Sequence, residues 1–435
     1  MQEFWDKYFL IWHQLDLETI MRWGWFIFLF DIPRFVILEG ITLFLSKIKR
    51  FETKDLWEDA RRKLWKETPL VTVLVPGHNE GQHLYKLIAS MQKQTYQNLE
   101  LIVIDDGSID NTSIIGRSFE KTGDIDLFLR AEERGGKASA ANMGLRYCKG
   151  KYIVHLDADS SLDADAVEKI LIPFYRYKNV GAVGGNIAVR NEDTSLTTTM
   201  QFLEYLSSIS VSRVVLSHLG IYKMVSGAFG AFPKDVLERV GGWDIGPGLD
   251  GDITVKIRKI NKNVIFEEEA VCNTHVPVTW KALTKQRLRW SRSLIRFRIR
   301  KHNDIWKPDK NFKISNFLSF FENVFFGLVL DFLWVFYMFQ IIIMDPKFLL
   351  VWFPFKYSIY VVLALCGFLY VLWTNKNKKK IMKKILYVPL FPLYMGYYMR
   401  IVRTIAYIDE FLFYDSYKDT WNPEKTSRKG REYGA

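Results

Sequence analysis

Carboxylates recur in this sequence where apolar runs end, which is where an α/β protein presents its chemistry. "LVTVLVPGHNE" closes on Asn79 and Glu80, "LELIVIDDGS" on Asp105 and Asp106, and "YIVHLDADS" carries Asp157 and Asp159. Lys137 lies between the last two, in "RGGKASAANMGL". Further along, "GPGLDGDIT" holds Asp250 and Asp252, and "QRLRW" holds Gln286, Arg289 and Trp290. Taken singly, such residues have plainer uses. A carboxylate after a strand can cap the next helix, and two aspartates one residue apart can serve a turn. The glycines before Lys137 stand too close together for a Walker loop. Together they say more: three strand ends would bring carboxylates to one rim, where a hard divalent cation and a nucleotide can be bound together.

The elements that must position these residues alternate. The β-rich runs at 70–80 and 99–108 read as buried parallel strands, and "IDLFLR" and 152–160 as two more. Helical stretches separate them, among them "EGQHLYKLIASMQKQ" and 137–148. This rhythm predicts an α/β fold: a doubly wound, mostly parallel sheet with helices on both faces and sites at the carboxyl ends of its strands.

The chain has 435 residues, a formal charge of +12, and is 49% hydrophobic and 15% aromatic. A basic, aromatic-rich chain suits nucleic acid or an anionic membrane face. Long apolar runs at both ends favour the membrane, and the carboxylate rim would repel nucleic-acid phosphates, so no nucleic-acid partner is expected. Three cysteines show no metal-ligand spacing. The first twenty residues lack the features of a signal peptide. Residues 22–46 read as a span in which Asp31 and Arg34 pair, followed by the cytoplasmic "SKIKRFETK". Residues 320–344 and 348–373 read as spans joined by "DPK", with "NKNKKKIMKK" cytoplasmic again. A last run, 385–399, breaks at Arg400 and Arg403; it can span, re-enter or lie in the interface, which leaves the side of the C-terminus open.

In order, "VPGHNE", "IDDGS", "RGGKASAANMG", "DADS", "SGAFGAF", "LDGDIT" and "QRLRW" resemble the membrane-embedded family 2 glycosyltransferases. These include the cellulose, chitin, hyaluronan and poly-N-acetylglucosamine synthases. The resemblance covers roughly residues 69–300 and the flanking spans. It implies a GT-A-like fold in which Asp105 and Asp106 hold the uracil and ribose of a UDP-sugar, with Asn79 and Glu80 in the same pocket and Lys137 near the nucleotide. Asp157 and Asp159 match the family's D-x-D, whose second Asp ligates Mg²⁺ or Mn²⁺ bridging the diphosphate. Gln286, Arg289 and Trp290 match Q-x-x-R-W: Arg289 would pair with the diphosphate and Trp290 would form a platform for the acceptor. Ser226 and Gly227 would let that acceptor approach the backbone. Asp250 matches the base of the family's Glu-Asp pair, with Leu249 in place of the Glu; Asp252 is the fallback.

The implied organisation is an interfacial segment and membrane helix (1–50), a linker (51–68), a GT-A domain (69–283), Q-x-x-R-W and amphipathic interface helices (284–312), membrane helices (313–410) and a basic tail (411–435). The implied activity is inverting, processive β-glycosyl transfer from UDP-glucose or UDP-N-acetylglucosamine to a growing polysaccharide. The partners are that donor, the polymer, the lipid bilayer and accessory export subunits. Single transfer to a lipid acceptor is the alternative, and a basic scaffold protein the third reading. In this frame the arginines of 292–302 face lipid phosphates, and Trp334, Phe336, Tyr337 and Tyr360 are available to line a channel. The run Glu267-Glu268-Glu269 is expected to be a solvated strand edge.

Overall fold

The structure, a computed structural model, describes residues 5–6, 9, 16–244, 248–307, 313–344 and 346–418. The tail containing "PEKTSRKGR" and the end of the 284–312 segment lie outside these residues. Strands β1 (Val71–Gly77), β2 (Leu99–Asp105), β3 (Leu127–Arg130) and β4 (Tyr152–Leu156) fall on the expected runs. β1, β2 and β4 each stop a few residues short of their runs, where the polar site residues begin, while β3 ends with its run at Arg130. Strands β5 (Ser161–Leu162), β6 (Val180–Val189), β7 (Phe229–Pro233) and β8 (Asn263–Thr274) complete one sheet ordered β3-β2-β1-β4-β7-β6-β8-β5. Pairing is parallel from β3 to β4 and between β6 and β8, while β7 runs antiparallel to both neighbours and β5 antiparallel to β8. The sheet is therefore mostly parallel, as expected.

Side chains alternate across the sheet with the two-residue period of a strand. Val71, Val73, Val75, Leu101, Val103 and Val154 pack on Leu84, Leu87, Ile88, Val167 and Leu171. Leu74, Ile102, Ile104 and Ile153 pack on Ala140, Ala141, Leu145, Ile253 and Ile257 on the opposite face. Fully burying each large aliphatic contributes roughly 1.5–3 kcal/mol, so both faces hold the strand ends in place.

Three helices among the described residues are long and apolar enough to cross a membrane: Ile314–Met344, Leu349–Thr374 and Ile385–Phe413. Residues 17–52 form another continuous helix, with π-helical turns on either side of Ile32. Its charges are met by neighbours, but not as the spacing suggests. Arg34 pairs with Glu39 at 3.1 Å and Glu322 at 3.0 Å, and Asp31 accepts instead from the Tyr360 hydroxyl at 2.5 Å. Two carboxylates converging on Arg34, one buried and one half-buried, outcompete the i, i+3 partner. The helix containing Arg400 and Arg403 is unbroken, because Asp331 receives Arg403 at 2.5 Å and Arg400 at 3.5 Å. Both ends of this last segment face the sheet domain and the helix 280–293: Lys384 pairs with Asp193, and Asp409 with Arg292.

Two surface expectations are corrected. The acidic run is no solvated edge: Glu267 is buried against Arg50, and Glu268 takes Lys47 at 2.9 Å. It docks the 17–52 helix on the sheet. The arginines after Trp290 turn toward protein rather than lipid. Arg300 pairs with Glu410 at 2.7 Å, Arg292 with Asp409 and Asp415, and Arg296 lies buried over the Tyr417 ring. Carboxylates on the last helix, distant in sequence, supply the counter-charge.

Candidate active site

The carboxyl ends of β1, β2 and β4 meet at one rim. Asp105 is fully buried, accepting from the Ser108 N–H at 2.8 Å and from the Ser113 hydroxyl. Asp106 accepts from the N–H groups of Gly135 and Gly136 at 2.7 and 2.8 Å. The glycine pair is thereby wrapped around a carboxylate, and Gly136, at φ 87°, feeds the helix that starts with Lys137. Asn79 sits at φ 60° and ties two rim loops together, donating its N–H to Ser108 and accepting from the Ile109 N–H at 3.0 Å. These three residues build the rim; of them only Asp106 also lines the cavity beside it.

Lys137, Asp157, Asp159, Glu80 and Asp250 all line that cavity. The Lys137 ammonium is bonded to Asp157. Burial alone would lower its pKa, but Asp157 and Asp250 more than offset that and keep it charged. Burial, then Asp159 and Asp157, push Glu80 up to about 8; burial and Asp157 push Asp159 up to about 6. Lys137 is bonded to one carboxylate of this crowd, Asp157. Among the described residues no three His, Cys, Asp or Glu side chains form a self-contained metal cage. Asp157 and Asp159 do fit a cation of the Mg²⁺ type, which takes one or two protein carboxylates and completes its shell with phosphate oxygens and water.

Asp250 is the second residue of the helix Leu249–Lys259 and lies against Gly227, whose N–H donates to it. Burial raises its pKa, and Lys137 and that N–H partly offset the rise. Asp252, two residues on, faces away from the cavity. It is fully buried and takes His302 at 2.8 Å and Lys301 at 2.9 Å. The geometry thus distinguishes two carboxylates that the sequence left as alternatives. Ser226 lines the cavity as well, while Gly227 contributes its backbone.

Gln286, Arg289 and Trp290, on the helix Trp280–Ser293, line the next stretch of the same cavity. Trp290 is 42% exposed. Two supporting groups were not visible as such in the sequence. His155, on β4 beneath the rim, donates from Nδ1 to the Gly227 carbonyl at 2.6 Å, and burial pushes its pKa down to about 3, so it is neutral. Arg287 lies 4.3 Å from the Trp290 ring centroid. Its anchor is Glu204 at 2.9 Å, which also takes the Tyr394 hydroxyl at 2.6 Å. His155 sits in an apolar run and reads as core, and nothing near Arg287 in sequence points to Glu204.

The cavity, about 1420 Å³, does not end at Trp290. It continues between the membrane helices past Phe326, Trp334, Tyr360, Tyr397 and Arg400 to Lys356. Of the four aromatics expected there, Trp334 and Tyr360 line it. Phe336 is 67% exposed on the outer surface, and Tyr337 packs against Trp23 and Phe26.

Residues 72–241 match the glycosyl transferase family 2 model. The chain is 33% identical over 256 residues to a poly-beta-1,6-N-acetyl-D-glucosamine synthase of Staphylococcus epidermidis, covering 58% of this chain and 61% of that protein. The synthase of the same name from Staphylococcus aureus (strain COL) is 30% identical over 268 residues, covering 61% and 62%. The chain thus spans about three fifths of the length of the curated relatives it matches. A mannosyltransferase from Pyrobaculum calidifontis, solved with GDP-Man and Mn²⁺, superposes with a TM-score of 0.55 at 20% identity, covering 86% of this chain and 99% of that one. That likeness establishes a shared GT-A fold.

Proposed function

We propose that this protein is a family 2 glycosyltransferase of the polysaccharide synthase kind, which extends a β-linked polymer from a UDP-sugar and passes it between its own membrane helices. The observation that carries this reading is the single cavity running from the carboxylate rim, past Trp290, to Lys356 among the membrane helices. An enzyme making one transfer to a lipid needs an opening to the bilayer beside its site; a polymerase needs a continuous path for its product. The likeness to two poly-beta-1,6-N-acetyl-D-glucosamine synthases favours UDP-N-acetylglucosamine over UDP-glucose as donor.

In this reading Asp106 and the Gly135-Gly136 turn form one wall of the nucleotide pocket, with Asn79, Glu80 and Asp105 holding its loops. Asp157 and Asp159 would hold Mg²⁺ or Mn²⁺, which would supply positive charge beside the departing diphosphate. Lys137 and Arg289 face the same charge from fixed positions, so little reorganisation is needed as it develops. Asp250 takes the proton of the acceptor hydroxyl as the sugar carbon inverts. Trp290 carries the acceptor sugar, and Ser226 and Gly227 leave room for it beside Asp250. The catalytic domain (69–283) is cytoplasmic, with Lys47, Arg50 and the 375–384 lysines on the same side as its acidic docking residues. The 385–413 segment lies in the interface, since it is one continuous helix with both ends fastened to that side.

The test uses purified protein in detergent with Mg²⁺ or Mn²⁺, following UDP release with each donor alongside Asp250→Asn. Turnover with one donor, a high-molecular-weight product and an inactive variant are expected. A small lipid-soluble product would replace polymerisation with single transfer.

A further inference from the structure

Almost every buried ionisable group among the membrane helices has an opposite partner in the structure. Arg34 has Glu39 and Glu322, Asp331 has Arg403 and Arg400, and Asp31 has the Tyr360 hydroxyl. Lys356 is different. It is 3% exposed, and its Nζ has no hydrogen-bond partner among the described residues. Three rings surround it, with centroids 4.7 Å (Tyr337), 4.9 Å (Phe26) and 5.8 Å (Tyr360) from Nζ. Aromatic faces attract an ammonium but supply none of the lone pairs its three N–H groups require. Leaving such a group dry and unbonded is costly, and an ionisable residue at membrane depth marks a site.

The position of Lys356 says what the missing partner is. It lines the same cavity as Asp250 and Trp290, but far from them along the chain's helices. Phe26 lies eight residues before Arg34, or roughly 12 Å along the axis at 1.5 Å per residue, and Arg34 is joined through Glu322 to Lys223, three residues before Ser226. Whatever reaches Lys356 from the acceptor side of the site therefore extends beyond it along the helix. Asp31 stands behind the Tyr360 hydroxyl, and Arg400, itself paired with Asp331, lines the same cavity, so both signs of charge are present and a phosphate would meet repulsion as well as attraction. An uncharged chain rich in hydroxyl and amide oxygens meets both demands: it accepts from Lys356 and donates toward the carboxylate side.

We infer that Lys356, with Tyr360 beside it, forms a second glycan-binding subsite that holds the growing polymer by its hydroxyl or acetamide oxygens deep among the membrane helices. The inference rests on the polymerase reading and adds a grip remote from catalysis. Holding the chain there opposes its diffusion back out of the enzyme between transfers, so the subsite governs how long the product becomes.

The experiment compares wild-type, Lys356→Met and Lys356→Arg full-length protein in lipid vesicles with UDP-N-acetylglucosamine and Mn²⁺, reading the size distribution of the product. Each protein is first confirmed monodisperse, with Lys356→Gln replacing the Met variant should that one not fold. The methionine variant is expected to shorten the mean chain at least fivefold, and arginine, which keeps the cation, to restore it to within twofold. Chains of wild-type length from Lys356→Met, or arginine chains as short as the methionine ones, would overturn the subsite. A wild-type protein that adds only a single sugar would overturn the polymerase reading, and the subsite with it.

Discussion

A Cβ placed on Gly227 would lie 2.2 Å from Oδ1 of Asp250. No non-bonded carbon approaches a carboxylate oxygen so closely, and Asp250 is fixed in the first turn of the helix Leu249–Lys259. Gly227→Ala must therefore push Asp250 aside. A displacement near 1 Å in a reacting group can cost on the order of 100-fold in rate. The variant is expected to lose about that factor in kcat for UDP release, with its melting temperature close to wild type. Full activity in Gly227→Ala would remove Asp250 from the reaction.

Asp250 and Asp252 should fail in different ways. Asp250→Asn removes the proposed base, and is expected to cost roughly 10²–10⁴ in rate while leaving the fold intact. Asp252→Asn instead takes the counter-charge from Lys301 and His302 in a buried cluster. Breaking a buried pair from one side costs about 3–5 kcal/mol. Thermal unfolding and UDP release measured on both variants separate the roles; a stable, inactive Asp252→Asn would exchange them.

The pH behaviour follows from the raised pKa of Asp250, caused first by burial and partly offset by Lys137. Only the ionised carboxylate accepts a proton, so kcat/KM should fall as pH drops through a value above the ordinary carboxylate range, and Asp250→Asn should lack that limb. Stability carries the opposite sign. A group whose folded pKa lies above its unfolded one stabilises the fold below the unfolded value and loses that contribution as pH rises through the folded one. At neutral pH Asp250→Asn should therefore melt above wild type. A variant melting below wild type would show that the charged form is favoured in the fold.

The sequence made much of this site legible because strand ends are legible. Apolar runs such as "LELIVIDD" announce both a buried strand and the carboxylates at its end, so Asp106 and Asp157 could be placed on one rim. Burial direction was not legible: Asp250 and Asp252 differ by two residues on one helix, and only packing turns one to the cavity and the other to His302. Long-range charge pairing was also hidden. Arg34 finds Glu322 rather than Asp31, and Arg400 and Arg403 find Asp331, so a segment that seemed to break at its arginines continues as a helix. Periodicity reports the face a residue occupies but not what the fold brings to that face.

The most informative partner of Trp290 is Arg287, whose guanidinium lies 4.3 Å from the ring centroid. Glu204 and, through it, Tyr394 hold that guanidinium from the helix 196–205 and the last membrane segment. A planar guanidinium suits this sandwich and a lysine does not, because the ammonium cannot both stack flat on the ring and donate sideways to Glu204. Arg287→Lys should therefore loosen Trp290 without touching Asp250 or the D-x-D pair. The expected result is a several-fold rise in KM for an added oligosaccharide acceptor, with KM for the UDP-sugar within about twofold of wild type. Glu204→Gln, which leaves Arg287 buried with a neutral partner, should shift the acceptor KM in the same direction and also lower the melting temperature. If donor and acceptor KM rise together in Arg287→Lys, the residue supports the whole helix 280–293 rather than its tryptophan.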